Sequence, residues 1–580
     1  MEIAVAVQGP TAMVQSVQHR SDSGHGRAEP ERLALAELPA RVAALESEHT
    51  HTPPRWIWAD TRAAAAVLLP AGVRVRRCLD LRLCHAILRR TPAGRQWPDS
   101  PWDTPVEVPA ASVTDQGERL FDDHFGATGA DEFSLAQVHA ERARQDQAIR
   151  AHPAPGKLRL LMAAESVGAL IATEMQADGV PWDRAVHEEL LTAALGPRPG
   201  PGLRPAKLED LAVRIRTHLD TPALNPDSPA DVLRALRAQG LDVRTTRKGE
   251  LARIDHPVIA PLLEYKKLAR LLSANGWAWL DAWVSPPDPH GPAGRQGRFR
   301  PEYVPGGVVT GRWAASGGGA LQLPKQVRGA LRADAGWRLV VADAAQIEPR
   351  VLAAMAGDQA LARAGRGGDL YQGLVDSGVV PTRDAAKVGM LGALYGGTTG
   401  DSGALMPRLR RAYPRAIDVV ETAARTGEAG GVVHTWLGRT SPAPGPEWVE
   451  QQRQSNQADA DAEAQRRARS RTREWGRFTR NFVVQGTAAE WALCWLGEIR
   501  RRLSELDGHT DGEGDIDGDG AHLVFFLHDE VIVHAPQAQA EAAAGAVRAA
   551  ATAAGTLMFG QTAVDFPLSV SVVTDYDQAA

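Results

Sequence analysis

Trp337-Arg-Leu-Val-Val-Ala-Asp343-Ala-Ala-Gln346-Ile-Glu348-Pro349-Arg350 is the stretch on which the fold turns. Its first half is an apolar run closed by a carboxylate, the pattern of a buried strand that ends in a polar residue. A helix is expected to begin just after Asp343, with Pro349 in its first turn, where proline is tolerated. A second stretch of the same form lies 186 residues on: Leu523-Val-Phe-Phe-Leu-His528-Asp529-Glu530-Val-Ile-Val-His534. It reads as a hairpin, with strand 522–527, a tight His528-Asp529 corner and strand 530–534. Strand ends and turns let side chains point into a shared cleft while the backbone stays hydrogen bonded.

Between the two, Arg383, Lys387, Leu391 and Tyr395 recur at every fourth residue, a slowly rotating stripe on one helix face. Tyr395-Gly396-Gly397 ends that helix, glycine being free to take the left-handed cap. An Arg and a Lys one turn apart can grip a triphosphate, and an aromatic ring further on can stack near a base. Two strand-end carboxylates with such a helix suit metal-assisted phosphoryl transfer on a nucleotide. Two Mg2+ ions held ~3.5–4 Å apart would activate a hydroxyl and stabilise the leaving pyrophosphate. Mg2+ takes few protein carboxylates and completes its shell with substrate phosphates. Each feature alone also has a plain structural explanation, as an ordinary strand-end aspartate or a solvated basic face. Lys387 is the more notable because the chain has only seven lysines.

At 580 residues the chain exceeds one core and should divide into three or four domains. A net charge of −5 does not announce a nucleic-acid binder, but a basic groove can sit on an acidic body. Cys78, Cys84 and Cys494 make neither a disulfide framework nor a four-cysteine zinc site, which fits a reducing compartment. The N-terminus lacks the basic start and long apolar stretch of a signal peptide. No run is expected to reach the ~18–20 apolar residues of a membrane helix. A cytoplasmic protein without membrane contact is expected.

Residues 1–155 read as a small α/β unit, with strands at Glu2–Gln8, Arg55–Asp60 and Val73–Asp80. A helical segment follows from Leu158 to Leu195. Pro197–Pro205 is a linker, and residues 206–277 are helical around a break at Asn225–Pro229, where Ser228 or Asp227 is a plausible N-cap. The domains expected are 1–155, 156–285, 286–370, 371–480 and 481–580. Cys78-Leu-Asp80-Leu-Arg-Leu-Cys84-His85 reads as a strand–helix junction in the core rather than a metal site. Asp515-x-Asp517-x-Asp519-Gly520 imitates the start of a calcium loop, but Phe526 falls where a bidentate Glu is required, so a solvated loop is expected.

Here a resemblance becomes specific. The Asp343, Arg383–Tyr395 and Asp529 segments together resemble motifs A, B and C of the family A DNA polymerases, the DNA polymerase I type. Thr310-Gly311-Arg312 followed by Leu321-Gln322-Leu-Pro324 resembles the family's TGRLSS…LQNIP segment. Gly431 to Arg439 resembles GYVxTxxGR. Arg477-x3-Asn481-x3-Gln485-Gly486-Thr487-Ala488-Ala489-Glu490 resembles RxxxNxPxQGTAAD. Asn225-x2-Ser228-Pro229 and Leu262-Leu-Glu-Tyr265-Lys-Lys267-Leu resemble segments of the thumb. All stand in family order across roughly residues 158–580.

The resemblance implies an α+β and α/β multidomain fold. A right-hand polymerase of palm (286–370 and 481–580), fingers (371–480) and thumb (156–285) would follow an RNase H-like, exonuclease-type domain (1–155). It implies that Asp343 and Asp529 bind two Mg2+ ions, for which Mn2+ can substitute, and that Glu530 is the less essential neighbouring carboxylate. Glu348 would exclude ribonucleotides, with Gln346 beside it and Leu391 beneath the sugar. Arg383 and Lys387 would hold the incoming deoxynucleoside triphosphate, and Tyr395 would guard the templating-base pocket. Arg312, Gln322, Arg477, Asn481, Gln485 and His528 would touch primer–template DNA. The chain departs from the family pattern at Ala344, Ala345, Pro349, Tyr371 and Leu391, which bears on rate and sugar discrimination. The first strand lacks the Asp-x-Glu that opens a 3′–5′ exonuclease site, and Asp60 and Asp80 stand alone. The expectation is a monomeric DNA polymerase for repair or gap filling, without proofreading. The alternatives are a primer–template binding protein with an attenuated site, or a polymerase that also carries an active 3′–5′ exonuclease.

Overall fold

β1 (Glu2–Gln8) opens the chain with both faces covered, as its near-continuous apolar run requires. It lies at the centre of a sheet in a structure, a computed structural model, that describes residues 1–20, 24–104, 133–289, 294–317, 319, 323–397, 400–457, 461–507 and 520–579. β1 pairs antiparallel with β2 (Thr11–Arg20), which pairs with β3 (Gly24–Arg27) and β4 (Glu31–Ala34). After α1 (Leu38–Glu48), β5 (Arg55–Trp58) runs parallel to β1, and after α2 (Thr61–Leu68), β6 (Cys78–Asp80) runs parallel to β5. The strand order is β3-β2-β1-β5-β6. α3 (Leu81–Leu88) starts directly at the end of β6, the strand–helix junction expected there, and α4 (Leu135–Ala151) packs on it.

The chain divides into two compact units. The larger holds Met1–Ala177, Glu302–Gly317 and Val340–Val572, and the smaller Asp178–Pro301, Gly318–Leu339 and Val573–Ala580. α5 (Pro155–Asp178) belongs with the larger, so the division falls near residue 177 and not 155. The reason is packing: Leu170 joins the core under β1, and a Cβ on Gly168 would stand 2.8 Å from Leu493.

In the smaller unit, β7 (Val180–Trp182) interrupts the helix expected over 158–195 before α6 (Arg184–Leu195) resumes. α7 (Ala206–His218), α8 (Pro229–Ala238), α9 (Lys248–Leu251), α10 (Ile259–Asn275) and α11 (Trp277–Trp283) follow. β8 (Val284–Ser285) and β9 (Gly297–Phe299) complete a small antiparallel sheet with β7. Ser228 caps α8, its Oγ accepting from the Asp231 N–H at 3.2 Å, with Pro229 at the first helical position. Asp227 instead accepts the Tyr265 hydroxyl at 2.7 Å.

In the larger unit, β10 (Glu302–Val304) and β11 (Ala314–Gly317) form a short ribbon. β12 (Trp337–Ala344) leads into α12 (Ile347–Ala356), α13 (Gln359–Ala364), α14 (Leu370–Asp376), α15 (Arg383–Tyr395), α16 (Gly400–Ala412), α17 (Pro414–Glu428) and α18 (Pro446–Ser455). α19 (Ala462–Asp507) runs 46 residues without a break, straight across residue 480, where a domain boundary was expected. β13 (His522–Leu527), β14 (Glu530–Pro536), α20 (Ala540–Phe559) and β15 (Leu568–Val573) end the unit. The strands order as β13-β14-β12-β15, which sets the hairpin beside β12. Ala-rich α20 is long and apolar enough to cross a membrane, contrary to the expectation from sequence. One of its faces, including Ala543, Val547, Ala551 and Ala554, is buried, and it packs on α19 as a core helix does.

Candidate active site

The site is built where β12 meets the β13–β14 turn. The Ala344 N–H donates to the Asp529 carbonyl at 2.8 Å, tying the strand end to the turn. Asp343, next to last in β12, and Asp529, in the turn, are thereby neighbours. Burial first, and then the Asp343 charge, push the Asp529 carboxyl up to about 6. Asp343 is solvent-exposed, yet partial desolvation still raises its carboxyl above the usual range. Among the described residues no donor reaches the Asp343 carboxylate, and Asp529 has only its own backbone N–H. Two adjacent carboxylates left so poorly neutralised suit a divalent cation of the Mg2+ kind, which needs few protein oxygens. No cluster of three or more His, Cys, Asp or Glu side chains forms a further metal site among the described residues. Glu530, first in β14, begins the strand after the turn.

Backbone strain is concentrated beside both aspartates. Gln346 and His528 take φ of +53° and +57°, a region that costs a non-glycine residue of order 1–3 kcal/mol. At His528 the tight corner imposes it, the Asp529 N–H donating to the Leu527 carbonyl at 2.7 Å around that single residue. At Gln346 it redirects the chain from β12 into α12.

Glu348, in the first turn of α12, is a hub. Its carboxylate takes the Arg312 guanidinium at 2.5 Å and a short hydrogen bond from the Tyr395 hydroxyl. Burial, and then the Glu348 charge, raise the Tyr395 phenol, and Gln485 also hydrogen-bonds it. Thr382 caps α15, and Gly396 ends it in the left-handed conformation. A Cβ on Gly396 would stand 2.7 Å from the Arg477 side chain, so only glycine lets Arg477 lie across that end. The Asn481 Oδ1 is buried with no hydrogen-bond partner among the described residues.

Asp369 organises the other side. It caps α14, accepts from Gln346 Nε2 at 2.9 Å and pairs with Arg383 at 2.5 Å. Burial opposes its charge, but the Arg383 hydrogen bond holds its carboxyl below the usual range. Arg383 also lies over the Tyr371 ring, 5.8 Å from its centroid. Lys387 is exposed, and Leu391 is half-buried. Arg350 points away from the cleft: wholly buried, it donates to the carbonyls of Ala345, Gly365, Gly368 and Asp565. Gln322 lies outside the described residues, as does most of the acidic 507–520 stretch.

Sequence reasoning missed one support. Glu165 of α5 pairs with Arg439 at 2.6 Å, both buried. That guanidinium lies against Gly311, whose φ is +90° and where a Cβ would approach it to 2.7 Å. Gly311 precedes Arg312, so a residue far upstream braces the Glu348 hub. Glu490 lies alongside, accepting from Thr435 and from the Leu437 N–H, with burial raising it to about 7. Gly311 was legible in its motif, but nothing around Glu165 signals a partner in the sequence.

Residues 206–577, more than half of the chain, match the family model described as DNA polymerase family A. The chain belongs to that family. It is 28% identical over 364 residues to the thermostable DNA polymerase I of Thermus filiformis, a match covering 58% of this chain and 38% of the relative. It is 28% identical over 351 residues to DNA polymerase I of Chloroflexus aurantiacus, covering 56% and 33% respectively. The chain thus spans about a third of the length of the curated relatives it matches. Among solved structures it resembles the POL domain of Pol1 from M. smegmatis, in complex with DNA primer-template and dNTP. The TM-score is 0.64 at 17% identity, covering 100% of this chain and 95% of that one. The fold is therefore that of a family A polymerase domain.

Proposed function

We propose that this chain is a template-directed DNA polymerase that extends a primer 3′ end with deoxynucleoside triphosphates. The observation that carries the reading is the Asp343–Asp529 pair, crowded together with almost no hydrogen-bond neutralisation. Asp343 and Asp529 would hold two Mg2+ ions, which when bound lower the pKa of an attacking hydroxyl and offset charge on the leaving group. The primer 3′ oxygen bonds to the α-phosphorus, the bond to pyrophosphate breaks, and the hydroxyl proton leaves. Lys387, and Arg383 once released from Asp369, would position the triphosphate, since such reactions depend on positioning and charge more than covalent help. Glu348, fixed by Arg312 and Tyr395, would stand against the sugar and disfavour a 2′-hydroxyl. Gln485, Arg477, Asn481 and His528 would face the nascent pair and template, and Glu530 would assist at the metal site.

Palm, fingers and thumb follow as part of this reading, with residues 178–285 of the expected thumb in the smaller unit and residues 156–177 in the larger. The sheet of residues 1–80 fits an exonuclease-like domain by its order, three antiparallel strands continued by parallel ones. Asp60 and Asp80 are both taken up as helix caps, which supports synthesis without proofreading, suited to gap filling in the cytoplasm by a monomer. One observation favours the attenuated alternative: Arg383 is held by Asp369. Primer extension with Mg2+ and four dNTPs, native chain against Asp529→Ala, tests the reading. Extension lost only in the variant is expected. A native chain that binds primer–template but adds no nucleotide would favour the attenuated protein.

A further inference from the structure

The N-terminal half of α19 carries more arginine than the active site uses. Arg466, Arg469, Arg473 and Arg477 are exposed, at spacings of three, four and four residues. At about 100° per residue these positions fall within about 80° of one another, a single face running ~16 Å along the axis. That face lies opposite Ala468, which is buried and whose carbonyl accepts from Gln452 of α18 at 3.2 Å. The remaining arginines behave differently. Arg467 pairs with Glu463 at 2.6 Å and Arg471 with Glu474 at 3.3 Å, on the other flank of the helix. Among the described residues no carboxylate pairs with any of the four in the stripe. Neutralisation is thus selective: acidic residues accompany one flank and avoid the other.

The stripe also has a direction. Its inner end is Arg477, lying across Gly396 where α15 stops after Tyr395. One turn further, Arg480 donates to the Ala393 carbonyl of α15 at 2.8 Å, fixing the two helices together there. From that point the guanidiniums lead away, one every 4.5–6 Å or about so. Evenly spaced, unpaired guanidiniums suit a chain of phosphates better than a compact ligand. A single file of exposed guanidiniums on one helix suits one flexible strand better than a duplex.

The geometry points to Arg466, Arg469 and Arg473 as a track for the unpaired template strand before it reaches the templating position beside Tyr395. This rests on the polymerase reading, which it extends from the site to the approach path.

The test measures binding apart from chemistry. Labelled primer–templates with a chain-terminated primer carry either a one-nucleotide template overhang or one of about ten nucleotides. Affinity is recorded across salt concentrations for the native chain, for Arg466→Gln/Arg469→Gln/Arg473→Gln, and for Arg467→Gln/Arg471→Gln. For the native chain the longer overhang should bind more tightly. Losing three phosphate contacts to a single strand should lower the slope of log affinity against log salt by about 2 in the triple variant. Its binding to the one-nucleotide overhang should stay native, as should extension of the same duplex carrying an unblocked primer, and the double variant should match the native chain throughout. An equal loss on both overhangs would move the stripe to the duplex and overturn the proposal. So would an unchanged slope. Overhang-dependent binding, with no extension when the primer is left unblocked, would instead sink the polymerase reading and leave the stripe standing as a strand-binding surface.

Discussion

The larger unit places aspartates at strand ends twice, and the two regions use them differently. At β5 and β6, Asp60 accepts the N–H groups of Arg62 and Ala63 at 2.7 and 3.2 Å, and Asp80 those of Thr61 and Leu83 at 2.7 and 2.9 Å. Both are absorbed as helix caps. At β12 and the β13–β14 turn, Asp343 and Asp529 receive almost nothing and face each other. A raised pKa does not separate the regions, because burial and then Asp60 push Asp80 up to about 7. The hydrogen-bond inventory does. A strand-end aspartate followed by a helix with free N–H groups is a cap, and one whose helix begins several residues later is left available for a ligand.

The sharpest break of this comparison would come from exchanging fates. Asp529→Ala and Asp343→Ala should each lower single-nucleotide incorporation by roughly a thousandfold or more, several kcal/mol of barrier. Asp80→Asn should leave the incorporation rate of the folded protein within about twofold while costing stability of about 1–3 kcal/mol. Comparable losses of rate at Asp80 would erase the distinction. Next in size is the brace: Glu165→Ala strands the buried Arg439 and should cost about 3–5 kcal/mol in denaturant unfolding, with Glu165→Gln milder.

Titration sharpens the contrast at smaller scale. A carboxyl raised in the folded state binds its proton more tightly folded than unfolded. The Asp80 contribution is therefore complete below its unfolded pKa near 3.9 and lost as pH rises through about 7. Melting temperature should fall over that window in the native chain and fall less in Asp80→Asn. Carboxyl NMR should show Mg2+ lowering the Asp529 titration from about 6 and leaving Asp80 unmoved. Movement of Asp80 as well would mean a metal in the N-terminal sheet. The smallest effect belongs to Asp60→Ala, a lost cap worth about 1 kcal/mol of stability with extension unchanged.

Much of the site was legible because it is local. The apolar run before Asp343, the two-residue corner holding Asp529 and the four-residue spacing from Arg383 to Tyr395 each name an element and the residue at its end. Even the end of α15 at Gly396 follows from glycine's access to positive φ. What could not be read was partnership. Arg350 and Glu348 sit two residues apart in one motif, yet one is buried under backbone carbonyls and the other binds Arg312 and Tyr395. Helix periodicity puts them on different faces, but not against which neighbours. β7 was hidden for a similar reason, since three residues between two helices carry no period of their own.

The sequence alone determined the family, the positions of Asp343 and Asp529 at a strand end and a hairpin turn, and the helix from Arg383 to Tyr395, because motif spacing and apolar periodicity are properties of neighbouring residues. Only the tertiary structure decided that Glu348 is a hub, that Arg383 is held by Asp369, that Glu165 braces Arg439 from a helix far upstream, and that four arginines on α19 stay unpaired. Those facts depend on which elements pack together, and burial and charge pairing between residues 14 to 274 positions apart are written only in the folded chain.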